Sequence, residues 1–362
     1  ELRAELTALG HQFQGTGDSE VLLHAYREWG EGCLDRLAGM FAFALWDGEK
    51  QRLFLARDRF GIKPLYYYQA DGHVIFASEL RAIIRHPAVP RRIDPSALRF
   101  FFLLRHIPAP ASIWSGIAKL PPGHCLTLDA QGRGTPRPYW RLSPGRAHPD
   151  PGQAREMMLE ALAGSVRDHL LSDVPVGMLL SGGLDSGSIL ALSRRLGAPS
   201  PCYTIGFSGW EKSEHEAAAS LADALGADHH LRMLDGVEED LFPRMAQTYD
   251  EPLGDTSQWP TMALAALARR DVKVALGGDG GDELLGGYRW YEAAGPTENG
   301  LSAYAEAMTW ARLDGPWIDR LLPFTAGLAL PTPLELFTSR HDPSLGPVKA
   351  LQMLDFEFFL PG

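Results

Sequence analysis

Apolar and polar residues form two different patterns along this chain, separated by a proline- and glycine-rich stretch at 137–152. Before that stretch, short apolar runs alternate with turn residues, which predicts strands within 37–47, 53–68 and 74–79. Helices are predicted from Val21 to Trp29 by apolar spacing and over 93–100 by a capping residue. The first part of the chain is therefore predicted to combine antiparallel strands with a few helices.

After the stretch, helical and strand-like segments alternate. Helices are predicted over 154–172, 187–196 and 214–225, and buried strands over 174–180, 201–207 and 272–276. This alternation predicts a doubly wound parallel sheet, whose ligands bind beyond the carboxyl ends of the strands. We therefore predict an α/β chain with domains at 1–140 and 153–362, joined by a linker at 141–152.

The strand predicted over 174–180 ends in the run Ser181-Gly182-Gly183-Leu184-Asp185-Ser186. A glycine-rich turn between a strand and a helix offers unpaired backbone N–H groups and a positive helix end to an anion. Ser181 and Ser186 add hydroxyl donors, whereas the Asp185 carboxylate would repel a polyanion unless a divalent cation lies between them. The run therefore predicts a site for phosphate and Mg²⁺. It lacks the lysine of the standard nucleotide-binding loop.

A second glycine-rich loop, Gly277–Tyr288, follows the strand predicted over 272–276. Its acidic side chains are Asp279, Asp282 and Glu283. Because parallel strands end at one edge of a sheet, we predict that both loops line a single crevice.

The two loops resemble those of the glutamine-hydrolysing asparagine synthetases, whose first loop is the pyrophosphate loop of the ATP pyrophosphatases. The resemblance implies that Asp185 and Asp282 hold Mg²⁺ and pyrophosphate. It implies a catalytic role for Asp279, which stands where the family usually carries glutamate and has one methylene fewer. The residues implied to bind ATP are Leu180, Ser181, Gly182, Gly183, Asp185, Ser186, Ile205, Gly277 and Gly278.

The residues before 140 resemble the glutaminase domain of the same family, an αββα sandwich whose nucleophile is an N-terminal cysteine. In that domain the aspartate of a Gly-Asp-Ser-Glu run binds the amino group of glutamine. This run is Gly17–Glu20 here, so the resemblance implies that Asp18 binds glutamine. The alternative is that Asp18 or Ser19 only caps the following helix.

Both ends of the chain differ from the family pattern. The first residues resemble a helix that follows the catalytic cysteine at some distance, and the last ones stop before a lysine-bearing helix. We expect a sandwich lacking its start, a synthetase domain lacking its end, and no glutaminase activity in this piece. Cys33, Cys125 and Cys202 are expected to be buried apolar residues. The pair His229-His230 is expected to be a solvated helix end.

The composition and charge of the chain limit the classes of partner that we expect it to bind. A net charge of −11 argues against a general nucleic-acid role. The sequence contains no apolar run long enough to span a membrane, and its three cysteines lack a paired spacing. We therefore predict a cytoplasmic enzyme without nucleic-acid or membrane partners. A homodimer is left open.

The predicted reaction is amide formation through an acyl-adenylate. A carboxylic acid such as aspartate attacks ATP, pyrophosphate leaves, and ammonia from glutamine displaces AMP. One alternative is an intramolecular amide-forming synthetase of the β-lactam or peptide-macrocycle type, and another is a non-catalytic ATP-binding homologue. The stretch Tyr249–Ser257 resembles the part that shapes the acceptor pocket. Its acids Asp250, Glu251 and Asp255 are candidates for binding an amino group or for simple turn roles.

Overall fold

The computed structural model describes residues 1–70, 72–145, 150–198, 200–236, 240–293, 300–309, 315–328 and 330–360. The chain divides into two compact units, one with residues 1–98 and 107–143 and the other with residues 99–106 and 144–360. Residues 99–106 thus belong to the second unit, although they lie within the domain predicted at 1–140. Part of the predicted linker, 146–149, lies outside the described residues.

The first unit contains two antiparallel sheets in its described residues, with strand orders β1-β2-β6-β7 and β4-β3-β5. The strands are β1 (Ala42–Asp47), β2 (Arg52–Arg57), β3 (Tyr66–Ala70), β4 (His73–Ala77), β5 (Ile117–Lys119), β6 (His124–Leu128) and β7 (Arg137–Pro138). The helices are α1 (Leu2–Ala8), α2 (Asp18–Trp29), a 3₁₀ segment (Gly30–Arg36), α3 (Leu80–Ile84) and α4 (Pro95–Leu104), whose second half belongs to the other unit.

The side chains of β2 explain the layering of this unit. Because successive strand residues point to opposite faces, Phe54 packs with α1 and α2 on one face while Leu55 packs between the sheets on the other. Cys33 and Cys125 lie in the first of these clusters and are fully buried, as expected. This layering agrees with the αββα sandwich that the resemblance implies.

The second unit contains a parallel sheet of strand order β10-β9-β8-β11. Its strands are β8 (Val176–Leu179), β9 (Cys202–Phe207), β10 (His229–Leu234) and β11 (Val274–Leu276). Its helices are α5 (Pro151–His169), α6 (Leu184–Arg195), α7 (His215–Ala224), α8 (Leu241–Thr248), α9 (Gln258–Ala268), α10 (Gly281–Leu285), α11 (Arg289–Ala293), α12 (Gly300–Met308), α13 (Gly315–Leu321), α14 (Pro333–Thr338) and α15 (Pro347–Leu354). The last is followed by a π-helical turn (Asp355–Phe359), and short 3₁₀ segments lie at Pro323–Thr325 and Pro343–Leu345.

Helices cover both faces of this sheet, which confirms the doubly wound prediction. Leu190 of α6 and Ala218 of α7 are fully buried against β8 and β9. Leu267 of α9 packs with Tyr203 in a separate cluster. Among the helices that the structure describes, none is long and apolar enough to cross a membrane.

The prediction for His229 and His230 was wrong. Both residues begin β10, where His229 pairs in register with Cys202 and His230 with Tyr203. The His230 ring also stacks on the Tyr203 ring, with centroids 5.1 Å apart. Pairing with β9 decides this conformation, and the local sequence carries no strong strand alternation.

Candidate functional site

The order of strands places the two glycine-rich loops side by side. β11 pairs with β8, and Leu276 lies opposite Met178 in the register. Both strands run in the same direction, so the chain leaves the sheet at the same edge after Leu179 and after Leu276. This adjacency agrees with the single crevice predicted for the two loops.

The first loop is closed by its two serines. The hydroxyls of Ser181 and Ser186 are 2.9 Å apart, and the Ser181 N–H donates to the Ser186 hydroxyl at 3.1 Å. Helix α6 begins at Leu184, earlier than predicted, so Asp185 lies in its first turn. The N-cap residue is Gly183, and no side chain in the described ranges caps the helix. The first amides of α6 are therefore available to an anion.

The second loop packs directly against Asp185. A Cβ atom added at Gly278 would lie 3.0 Å from the Ser186 backbone nitrogen and 3.1 Å from the Asp185 Cβ. One added at Gly281 would lie 2.6 Å from the Asp185 Cγ. Only residues without a side chain allow the loops to approach this closely.

The Asp185 carboxylate acts electrostatically on Asp282. Burial and the neighbouring Asp185 charge raise the pKa of the Asp282 carboxyl. A divalent cation between the two carboxylates would relieve that repulsion. Within the described part of the chain, no group of three or more His, Cys, Asp or Glu residues could hold a metal ion. A pair of carboxylates suits Mg²⁺ that arrives with phosphate oxygens as its remaining ligands.

Other residues implied to line the nucleotide differ in their surroundings. Leu180 is buried in the core beneath α6 and α7, and its carbonyl accepts a hydrogen bond from the Thr204 hydroxyl at 2.8 Å. Ile205 packs in the cluster of α9. Asp279 is exposed, and an added Cβ at Gly277 would collide with its carboxylate. The roles of these residues toward ATP stay predictions.

A buried acidic cluster that the sequence did not predict lies behind the second loop. Asp355 is completely buried and Glu283 almost so. Burial raises the pKa of Asp355 to about 6, although hydrogen bonds from two tyrosines and a tryptophan oppose the shift. The available signal was a single acid, Asp355, between apolar residues on either side, Leu354 and Phe356.

The candidate acceptor stretch is held by local hydrogen bonds. The Asp255 carboxylate accepts from the Ser257 N–H at 2.7 Å, so this acid has a turn role. The Gln258 side chain donates to the Asp255 carbonyl at 2.9 Å. The Gly254 N–H donates a hydrogen bond, 2.6 Å long, to the backbone carbonyl of Arg105, a residue distant in the sequence. The roles of Asp250 and Glu251 stay open.

In the first unit, Asp18 does not cap α2. The N-cap residue is Gly17, without a side-chain cap, and Asp18 is exposed in the first helical turn. The capping alternative for Asp18 and Ser19 was therefore wrong. The preceding loop is held by Arg3, whose guanidinium donates to the carbonyls of Gly15 and Gly17 at 2.8 and 2.9 Å. Binding of glutamine by Asp18 stays a prediction.

Comparison with known families agrees with this arrangement. Residues 1–140 match a glutamine amidotransferase domain, and residues 157–361 match the family model for asparagine synthase. The chain belongs to the asparagine synthase family. The two loops at the edge of the parallel sheet lie within the second match.

Alignment with curated members of the family shows how much of their length this chain covers. It is 35% identical over 292 residues to asparagine synthetase [glutamine-hydrolyzing] 1 of Bacillus subtilis, covering 80% of this chain and 46% of the relative. Synthetase 3 of the same organism is 34% identical over 314 residues, covering 81% and 50%. The chain thus spans about half the length of the curated relatives it matches.

Among solved structures, an NH3-dependent NAD synthetase from Campylobacter jejuni is 18% identical. The match covers 58% of this chain and 94% of that one, with a TM-score of 0.28, which is too low to establish a shared fold.

Proposed function

We propose that this chain is part of an ATP-dependent ligase that forms an amide through an acyl-adenylate, with glutamine-derived ammonia as the nitrogen donor. The observation that carries the proposal is the packing of Gly278 and Gly281 against Asp185, which joins the two loops at the carboxyl edge of the sheet. Membership of the asparagine synthase family supports the same reaction.

The first loop and the start of α6 would bind the pyrophosphate part of ATP. The amides at the start of α6 donate to phosphate oxygens, and the hydroxyls of Ser181 and Ser186 add donors. Asp185 and Asp282 would hold Mg²⁺, which would withdraw charge from the leaving pyrophosphate. Gly277 and the other implied lining residues would contact the AMP part.

The acceptor carboxylate, with aspartate as the proposed acid, attacks the α-phosphorus and releases pyrophosphate. Ammonia then attacks the acyl carbon, the bond between this carbon and the oxygen that bridges to phosphorus breaks, and AMP leaves with that oxygen and the electron pair. The proton lost by the attacking nitrogen needs an acceptor. Asp279 is proposed for this role because its carboxylate is exposed at the end of β11.

Replacing Asp185 with Asn in the intact protein tests the assignment. Acceptor-dependent exchange of pyrophosphate into ATP is expected to fall by at least about tenfold, because the amide is a poorer ligand for Mg²⁺. The matched control is Asp168→Asn on the exposed face of α5, which should leave exchange unchanged. Undiminished exchange in the Asp185 variant would overturn the magnesium assignment.

The names of the curated relatives do not favour either alternative function, since those relatives are glutamine-hydrolysing asparagine synthetases. We also propose a cytoplasmic location and a homodimeric assembly. Sedimentation of the intact protein would test the assembly, and a monomer at assay concentrations would contradict it.

A further inference from the structure

Helix α15 and its π-helical turn support the second loop from behind. The Gln352 side chain donates to the carbonyls of Glu283 and Leu284 at 2.8 and 3.0 Å. These carbonyls lie at the end of α10, the short helix that contains Asp282. Gly280 is the residue just before α10. A Cβ atom added there would lie 3.8 Å from the Cδ1 of Leu360. Gln352 therefore contacts the end of the helix that carries Asp282, and Leu360, the residue after the π-helical turn, lies near the start of that helix.

Asp355 organises the aromatic residues that follow this helix. Its carboxylate accepts hydrogen bonds from the hydroxyl of Tyr291, from the hydroxyl of Tyr304 at 2.6 Å and from the Trp290 indole N–H at 3.4 Å. Asp355 and Tyr304 are completely buried, and Tyr291 is nearly so. A buried carboxylate with several donors holds them in a defined arrangement, because each donor would otherwise lose its partner in the interior.

The aromatic residues connect Asp355 to the second loop. The Trp290 and Tyr288 rings stack with centroids 4.0 Å apart and planes 23° from parallel. The Tyr288 hydroxyl donates to the Glu283 carboxylate at 2.9 Å. Glu283 follows Asp282 in the chain and is 3% exposed. A continuous series of contacts thus runs from Asp355 through two aromatic rings to the neighbour of Asp282.

We propose that Asp355 is a positioning residue that holds Asp282 opposite Asp185 through Trp290, Tyr288 and Glu283. The proposal rests on the proposed function only in taking Asp185 and Asp282 as the carboxylates that meet Mg²⁺ and ATP. Asp355 itself lies behind the loop, in the buried cluster.

The test is a double-mutant cycle on the binding of ATP in the presence of Mg²⁺, measured by calorimetry on the intact protein. Asp355→Asn keeps the size of the side chain but replaces one acceptor oxygen with a donor. The variant is expected to bind Mg²⁺–ATP about tenfold more weakly and to need more Mg²⁺ for half-saturation. In a protein that already carries Asp282→Asn, the same change should have little further effect.

Glu357→Gln is the matched control. Glu357 lies on the same π-helical turn, but it is exposed and pairs with Arg340 at 3.3 Å. It should leave binding unchanged. If Asp355→Asn does not fold, Tyr304→Phe removes one donor to the same carboxylate and should weaken binding in the same direction by about twofold to threefold.

Two results would overturn the proposal. One is unchanged binding in the Asp355→Asn variant, or in Tyr304→Phe where that variant replaces it. The other is an equal loss of affinity with and without Asp282→Asn, which would indicate a general structural role. A wild-type protein that binds Mg²⁺–ATP but shows no acceptor-dependent exchange would contradict the proposed function, and the cycle would still decide the role of Asp355. Absence of binding in the wild type would contradict both.

Discussion

At the scale of single residues, the candidate site depends on where side chains are absent as much as on where carboxylates are present. Gly278 and Gly281 lie where any Cβ would meet Asp185 or its neighbour. Gly280 has a φ of +85°, in the region that glycine adopts without strain. Larger residues at these positions would keep the acids of the second loop from lying beside Asp185.

Gly281→Ala is predicted to displace the Asp185 carboxylate, because the new methyl group would lie 2.6 Å from its Cγ. We expect acceptor-dependent exchange to fall by at least about tenfold, with most of the loss in kcat. Steady-state exchange kinetics and a thermal melt measure the change.

Gly164→Ala in α5 is the matched control, since among the described residues no atom outside the neighbouring backbone of its own helix lies within 4 Å of its added Cβ. It should stabilise the helix by about 0.5–1 kcal/mol and leave exchange unaffected. Wild-type kinetics in the Gly281 variant would show that the carboxylate tolerates displacement.

At the scale of elements, β9 connects the first loop to β10 through side chains. The Thr204 hydroxyl donates to the Leu180 carbonyl at 2.8 Å, so its oxygen accepts the Nε2 proton of His229, also at 2.8 Å. Burial lowers the pKa of the His229 imidazole from its usual value of 6.5, because it disfavours the charged ring. Protonation would favour the unfolded chain.

The sign of the resulting pH dependence follows from linkage. A histidine with a depressed folded pKa binds protons more readily when unfolded, so its contribution lowers the free energy of unfolding as the pH falls through 6.5. We expect the melting temperature to decrease between pH 7.5 and 5.5, and to decrease less in His229→Gln. His169→Gln, at the end of α5, is the control and should follow the wild-type curve. Parallel curves for all three proteins would contradict the prediction.

At the scale of the whole molecule, the chain contains two units that match two different family models. In the proposed reaction, one unit takes part in releasing ammonia and the other consumes it. Substitutions in the two units should therefore affect the use of different substrates. Variants can then separate the release of ammonia from its consumption.

Asp18→Asn in the intact protein is predicted to lower glutamine-dependent amide formation by at least about tenfold and to leave the reaction with free ammonia unchanged. The reason is that the exposed carboxylate at the start of α2 is proposed to bind only the amino group of glutamine. Amide product is measured with each nitrogen source. Asp35→Asn, an exposed acid of the same unit, serves as the control. An equal loss with both sources would remove Asp18 from glutamine binding.

The sequence by itself determined the features that depend on neighbours along the chain. Alternation of helical and strand-like segments predicted the parallel sheet, and its observed strands β8, β9 and β11 lie within the predicted ranges. The segments around Ser181–Ser186 predicted a strand, a turn and a helix in succession, which the structure contains. The three cysteines are expected to be buried apolar residues rather than reactive thiols, and the structure confirms their burial.

Only the tertiary structure decided which distant residues meet. The pairing of β11 with β8 brings Gly281 to Asp185, and the pairing of β10 with β9 turns His229 into a strand residue. Packing of α15 places Asp355 behind the second loop. Periodicity reports only on residues a few positions apart, whereas strand order and buried polar contacts follow from how all the apolar surfaces pack together.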